Sequence, residues 1–146
     1  TTKNRPMFSR PESRKNRWSL NDNYLRFWFR FIFPNQSLIE MGKYDLLREV
    51  IDRGYEQYSG LVLEKYFRSK IAEEERITGI GSYWDNKGEN EIDVIAINDL
   101  DKTAIVAEVK RNPKKIDMNI LQSKVHSVKE LAKYKVELQG LSLENM

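Results

Sequence analysis

Two β-rich runs closed by a polar turn constrain this chain more than anything else in it. Residues 91–98 (EIDVIAIN) and 103–110 (TAIVAEVK) are separated only by Asp99-Leu100-Asp101-Lys102, the pattern of a hairpin with a four-residue loop. Side chains alternate faces along a strand. Glu91, Asp93, Ile95 and Ile97 therefore share one face, and Ala104, Val106, Glu108 and Lys110 share one on the partner strand. Closing the loop with Asn98 against Thr103 sets Asp93 opposite Glu108 and Glu91 opposite Lys110. Each face is then apolar near the turn and charged at its far end.

Directly opposed residues hold their β-carbons about 4.5–5.5 Å apart, where like charges are destabilising. Asp93 and Glu108 so placed call for a shared cation. Hard oxygen ligands suit Mg²⁺ or Mn²⁺, and such an ion polarises a phosphodiester. Lys110, on the same side as Glu108, is positioned to stabilise an anionic transition state. Glu91 opposite Lys110 reads as a supporting salt bridge.

The remaining elements build around this hairpin. Residues 1–17 are polar and basic, hold Pro6 and Pro11, and read as a loop or tail. Asn21 or Asp22 caps a helix starting near Tyr24, in which Tyr24, Phe27, Trp28 and Phe31 form one aromatic stripe; Pro34 ends it. A second helix is expected over 43–53. A third, from Ser59 or Gly60, buries Leu63, Phe67 and Ile71, with Glu64 on the same stripe. A carboxylate there is costly unless neutralised. A strand over 77–84 precedes the hairpin. A helix over 117–133, with Ile120, Leu121, Lys124, Val125, Val128 and Leu131 at helical spacing, and a strand over 134–138 follow it. This is an α/β order, αβββαβ, behind a helical, aromatic-rich N-terminal extension, with units at 1–57 and 58–146.

Charge is segregated along the chain. Residues 1–30 carry eight basic and two acidic side chains, and residues 110–135 carry the same balance, each net +6. Residues 31–109 carry nine basic and sixteen acidic ones, net −7. Carboxylates at the chemistry with cations on either side suit a metal-dependent site on a polyanion. Arg111, Lys114, Lys115 and Lys124 are the expected contacts to a DNA backbone. With no Cys, a disulfide framework and a Cys-based zinc site are excluded. No apolar run approaches the roughly 18–20 residues of a membrane span. The chain starts at Thr1 without a signal-like stretch and reads as a piece of a longer cytoplasmic protein.

The segment GENEIDVIAIN followed by TAIVAEVK resembles the PD-(D/E)xK nuclease superfamily, with an acid entering one strand and Glu-x-Lys leaving the next. The resemblance covers roughly residues 58–140 and implies a restriction-endonuclease-like αβββαβ core, a mixed sheet flanked by helices. It implies Asp93 and Glu108 as metal ligands for Mg²⁺ or Mn²⁺, Lys110 as the catalytic lysine and Glu64 as an auxiliary acid and ligand. Ile92 stands where many members have Pro. Gln122 is a supporting candidate on the following helix, whereas His126, one turn on, reads as a surface residue.

WSLNDNYLRFWFRFIFPN followed by YSGLVLEKYF is similar to the C-terminal module of archaeal-type (AAA-family) ATPases, in which an ATP-binding domain and a winged helix precede a nuclease-like domain. No GxxxxGK[ST] loop occurs here, so no ATP site is expected in this stretch. The expected function is a metal-dependent phosphodiester hydrolase acting on DNA beside an ATPase. The alternative is an inactive nuclease-fold module for nucleic-acid binding, docking or dimerisation, through which the aromatic segment 24–33 meets the rest of the chain or a second copy.

Overall fold

The computed structural model describes residues 1–146. A two-stranded ribbon, β1 (Thr2–Asn4) and β2 (Arg17–Ser19), opens the chain. Helices α1 (Asn23–Phe27), α2 (Gln36–Glu40) and α3 (Tyr44–Ala72) follow. Then come β3 (Gly79–Trp84), β4 (Glu91–Asn98), β5 (Thr103–Val109), α4 (Met118–Ser127) and β6 (Lys135–Leu141). From α3 onward the order is αβββαβ. The sheet runs β3-β4-β5-β6, antiparallel across its first two junctions and parallel between β5 and β6. A parallel pair needs a long crossover, and α4 lies within it. No helix is long and apolar enough to cross a membrane.

The hairpin closes as expected, with Asn98 paired to Thr103 and Val94 to Ala107. Asn98 holds the turn: its Oδ1 accepts from the Leu100 and Asp101 amides, at 2.9 and 3.1 Å. Lys102 takes the left-handed conformation (φ 53°) that lets the loop return. The two faces of the sheet carry separate cores. Leu63, Phe67 and Ile71 of α3 pack on Val94, Ala96, Ala107 and Val109. Leu121 and Val125 of α4, with Val128 and Leu131 beyond it, pack on Ile92, Ile95, Ile97, Ala104 and Val106.

Four expectations are corrected. Strict alternation in β4 fails: Gly81 pairs with Ile95 but Tyr83 pairs with Ile92, so β4 carries one extra residue there. This β-bulge puts Ile92 on the same face as Ile95 and Ile97, and breaks the set Glu91/Asp93/Ile95/Ile97. Residues 1–17 are more than a tail, because the ribbon pairs Thr2 with Ser19 and the Met7 amide donates to the Ser82 carbonyl at 2.8 Å. Met7 and Phe8 also cover the α4-side core. The helices expected over 43–53 and from Ser59 are one continuous helix of 29 residues, and position 57/58 falls inside it. Ser59 Oγ donates to the Tyr55 carbonyl one turn back, at 2.7 Å, a bond made inside the helix. Finally, α4 stops at Ser127, and Lys129–Lys133 continue as a 3₁₀ helix. Within α4 the buried side is Leu121 and Val125, and Ile120 lies on the exposed side, 55% accessible.

Asp22 is the cap of α1, its carboxylate accepting from the Leu25 amide at 2.9 Å. The aromatic segment then runs through a π-helical turn, Trp28–Ile32, before the turn that holds Pro34. Of the stripe, Phe31 is the buried anchor, its ring tilted against Phe27 and edge-to-face with Tyr58. Its ring sits where a Cβ on Gly54 would lie, 2.7 Å from Cε1. Alanine in a helix interior is favoured over glycine by roughly 1 kcal/mol, yet Gly54→Ala is expected to destabilise by about 1 kcal/mol net, because overpacking costs about 1–3 kcal/mol. Urea denaturation checks the sign, and a stabilised variant would mean that Phe31 moves aside freely.

Candidate functional site

Where the β4–β5 ladder runs out, side chains take over its bonding. Pairing ends at Val94–Ala107, and the next donor, the Val109 amide, is taken by Asp93 Oδ2 at 2.8 Å. The bulge thus turns the Asp93 carboxylate in along the sheet end, a re-aiming typical of bulges near functional sites. Lys110 Nζ lies 3.9 Å from that same oxygen and 3.0 Å from Glu108 Oε1. The other Glu108 oxygen accepts from Lys124 Nζ at 3.1 Å, reaching across from α4. Asp93 and Glu108 side chains are only 15% and 11% exposed, whereas Lys110 is 38% exposed. The two acids are therefore nearly buried and the lysine is the more exposed group.

The electrostatics follow from this burial. Loss of solvent raises the Asp93 carboxyl above its ordinary value, and neighbouring Glu108 adds to the rise against the Val109 amide, Lys110 and Lys124. Burial alone would pull the Lys110 ammonium down, but Asp93, Glu108 and Glu64 outweigh it and hold it above its ordinary value. Lys110 is accordingly a fixed positive charge. Glu64, on α3, is pushed up to about 7, mainly by burial and then by Asp93, with Arg68 and Lys110 opposing.

Asp93, Glu108 and Lys110 are thus brought together, and Glu64 is coupled to all three electrostatically. The expected Glu91–Lys110 pair is not formed: Glu91 is bonded to Arg17 of the ribbon, because the bulge separates it from the Asp93 face. Gln122 points away on the exposed side of α4, 3.2 Å from His126 Nε2. Of the residues expected to meet a DNA backbone, Lys124 is engaged by Glu108, Lys115 by Glu56 at 2.6 Å, and Arg111 lies over the Tyr55 ring. Lys114 is exposed and in no ion pair. Sequence reasoning misses Arg68, whose Nη2 donates to the Asp93 carbonyl at 3.1 Å. Its place four residues after Glu64 is the readable signal, since i and i+4 share a helix face.

A hard divalent cation fits this donor set. No three His, Asp or Glu side chains converge closely enough to hold an ion together, but Mg²⁺ is bound through one or two carboxylates and keeps several waters. Asp93 and Glu108 are such a pair, nearly buried and joined by Lys110, with Lys124 on Glu108 as well. Glu64 stands near enough to feel Asp93 and Glu108.

A family model, DUF234, described as archaeal and bacterial proteins of unknown function, matches residues 28–124, a stretch that contains all four clustered residues. The chain is also 38% identical over 143 residues to an uncharacterized protein of Methanocaldococcus jannaschii, an alignment covering 88% of this chain and 32% of that protein. It therefore spans about a third of that relative's length. No solved structure matches.

Proposed function

The chain belongs to the DUF234 family, and we propose that its Asp93–Glu108–Lys110 cluster is the site of a metal-dependent phosphodiester hydrolase acting on DNA, within a longer protein that carries an ATPase. One observation carries this reading. Two nearly buried carboxylates meet at a sheet end around the more exposed Lys110 ammonium. A surface hairpin gains nothing from burying like charges, whereas a cation site requires them.

Asp93 and Glu108 would hold the cation, with Glu64 the acid next to it. Bound Mg²⁺ or Mn²⁺ would supply Lewis-acid polarisation of the phosphoryl oxygen. In hydrolysis a water oxygen bonds to phosphorus, the bond from phosphorus to one sugar oxygen breaks, and that oxygen ends up protonated. Negative charge builds on the phosphoryl oxygens as this happens. Lys110, kept protonated by its carboxylates, meets that charge from a fixed position. The longer protein is inferred from the chain's share of its relative's length, and the ATPase from the likeness of residues 18–35 to the archaeal-type ATPase module. Exposed Phe29 and Phe33 offer a docking face for it.

A second reading has its own support. Lys110 and Lys124 already neutralise Glu108, so the cluster is satisfied without an ion, as in a nuclease fold used only for binding or docking. Calorimetric titration with Mn²⁺ separates the two. Wild type is expected to bind one ion, and Asp93→Asn/Glu108→Gln to weaken it roughly 100-fold or more, beyond the 10–100-fold typical of losing an outer partner. An unmoved isotherm, or no binding by wild type, refutes the hydrolase reading in favour of the docking module.

A further inference from the structure

Beside the cluster lies a groove of about 290 Å³ between the ribbon, α3 and β3, with Glu64 in its lining. Its other charged lining groups are all cations: Arg17, Arg26, Lys65 and Arg68. Two are already engaged. Arg17 is bonded to Glu91 and stacked 4.4 Å from the Trp84 ring centroid, and Lys65 Nζ donates to the Asn21 carbonyl at 2.8 Å. Arg26 forms no ion pair. Arg68 spends Nη2 on the Asp93 carbonyl, and its Nε is buried without any partner.

The Arg68 Nε is enclosed and out of reach of a ligand in the groove. The remaining fork of the guanidinium, whose Nη2 already serves the Asp93 carbonyl, suits an anion with several oxygens. The groove supplies room, a surplus of positive charge and an opening onto Glu64, which is itself coupled to Asp93, Lys110 and Glu108.

We propose that this groove is a phosphate subsite, in which Arg68 and Arg26 hold the backbone phosphate neighbouring the one presented to Lys110, with the N-terminal ribbon as its outer wall. The neighbouring phosphate rests on the hydrolase reading; the anion site itself does not. The subsite takes a phosphate without reading a base, so it positions a strand and carries no sequence preference.

The test is binding of a short fluorescein-labelled single-stranded oligonucleotide in chelator, followed by anisotropy over a range of salt. Arg26→Gln and Arg68→Gln are each expected to weaken binding about tenfold, and to reduce the slope of log K against log salt by about 0.7 for each phosphate no longer neutralised. Arg26→Gln leaves the Asp93 carbonyl bond untouched, so it guards against a folding artefact in Arg68→Gln. Unchanged affinity in both variants overturns the subsite, as does equal competition by poly-L-glutamate. Inorganic phosphate is titrated separately by intrinsic tryptophan fluorescence, since Trp18 and Trp84 both line the groove. An Arg68-dependent response to it, with no oligonucleotide binding, overturns the nucleic-acid assignment in favour of a free phosphate. Mn²⁺ calorimetry on the same samples keeps the two readings apart. Arg-dependent oligonucleotide binding without Mn²⁺ binding supports the subsite and sinks the hydrolase, and Mn²⁺ binding with unaffected arginine variants does the reverse.

Discussion

Lys110→Met is expected to lower metal-dependent cleavage by about 10²–10³-fold, the loss typical of removing one preorganised transition-state donor. The same substitution should lower stability in chelator at neutral pH by about 1–3 kcal/mol, and both effects have one origin. Lys110 Nζ touches Glu108 and stands 3.9 Å from Asp93, so removing it leaves two largely buried carboxylates with Lys124 as their remaining close ammonium. Breaking a fully buried pair costs about 3–5 kcal/mol; Lys110 is 38% exposed, and solvent screening brings the figure down. A divalent cation should then stabilise the variant in place of the missing ammonium, by about 2.7 kcal/mol at a hundred times its Kd. Urea denaturation with chelator and with Mg²⁺, beside a cleavage assay, reads all three. Cleavage at the wild-type rate removes Lys110 from the chemistry. Equal stability in chelator shows that it does not neutralise the acids.

The register of the hairpin is legible because a four-residue loop leaves little freedom in pairing Asn98 with Thr103, and the Ile/Val runs on either side demand burial. The same holds for the α3 face, where Leu63, Phe67 and Ile71 all lie in the core. The bulge is not legible. Its signature is one extra residue between two otherwise regular pairings, and β4 carries no Gly or Pro to mark it; Gly81 on the neighbouring strand is the only local hint. Yet the bulge decides the site, since it detaches Glu91 and turns Asp93 onto the Val109 amide. The continuity of α3 is hidden for a different reason. Gly54, Ser59 and Gly60 are poor helix formers, but Gly54 is where Phe31 needs space, a tertiary contact that local propensity does not see. The basic N-terminus looks like a tail in sequence because a three-residue ribbon strand is too short to show alternation.

Glu64→Gln is expected to stabilise the protein at about pH 8 by roughly 2–3 kcal/mol in chelator, and to leave it unchanged near pH 4.5. The Glu64 carboxyl is raised from 4.5 to about 7, so the folded chain holds a proton that the unfolded chain releases between those values. Stability then falls as pH rises through that window. A shift of this size corresponds to about 3 kcal/mol at 1.36 kcal/mol per unit, and the cost is fully present above the folded value. Burial on α3 is the first cause. Asp93 of β4 and Glu108 of β5 add to it, while Arg68 and Lys110 oppose it. Lys124 of α4 is spent on Glu108, and Arg17 and Arg26 stand at the groove side. Glutamine has the same shape and no charge, so it removes the cost without opening a cavity. Glu64 is therefore an acid that works against the fold at neutral pH, and burial raises neighbouring Asp93 in the same direction. A divalent cation held by Asp93 and Glu108 would remove the repulsion that they exert on Glu64, so Mg²⁺ should stabilise wild type more than Glu64→Gln and narrow the gap between them. Urea midpoints across pH, with and without Mg²⁺, measure this directly. Parallel pH curves for the two proteins would show that Glu64 is ordinarily solvated, and a gap indifferent to Mg²⁺ would take it out of the cation site.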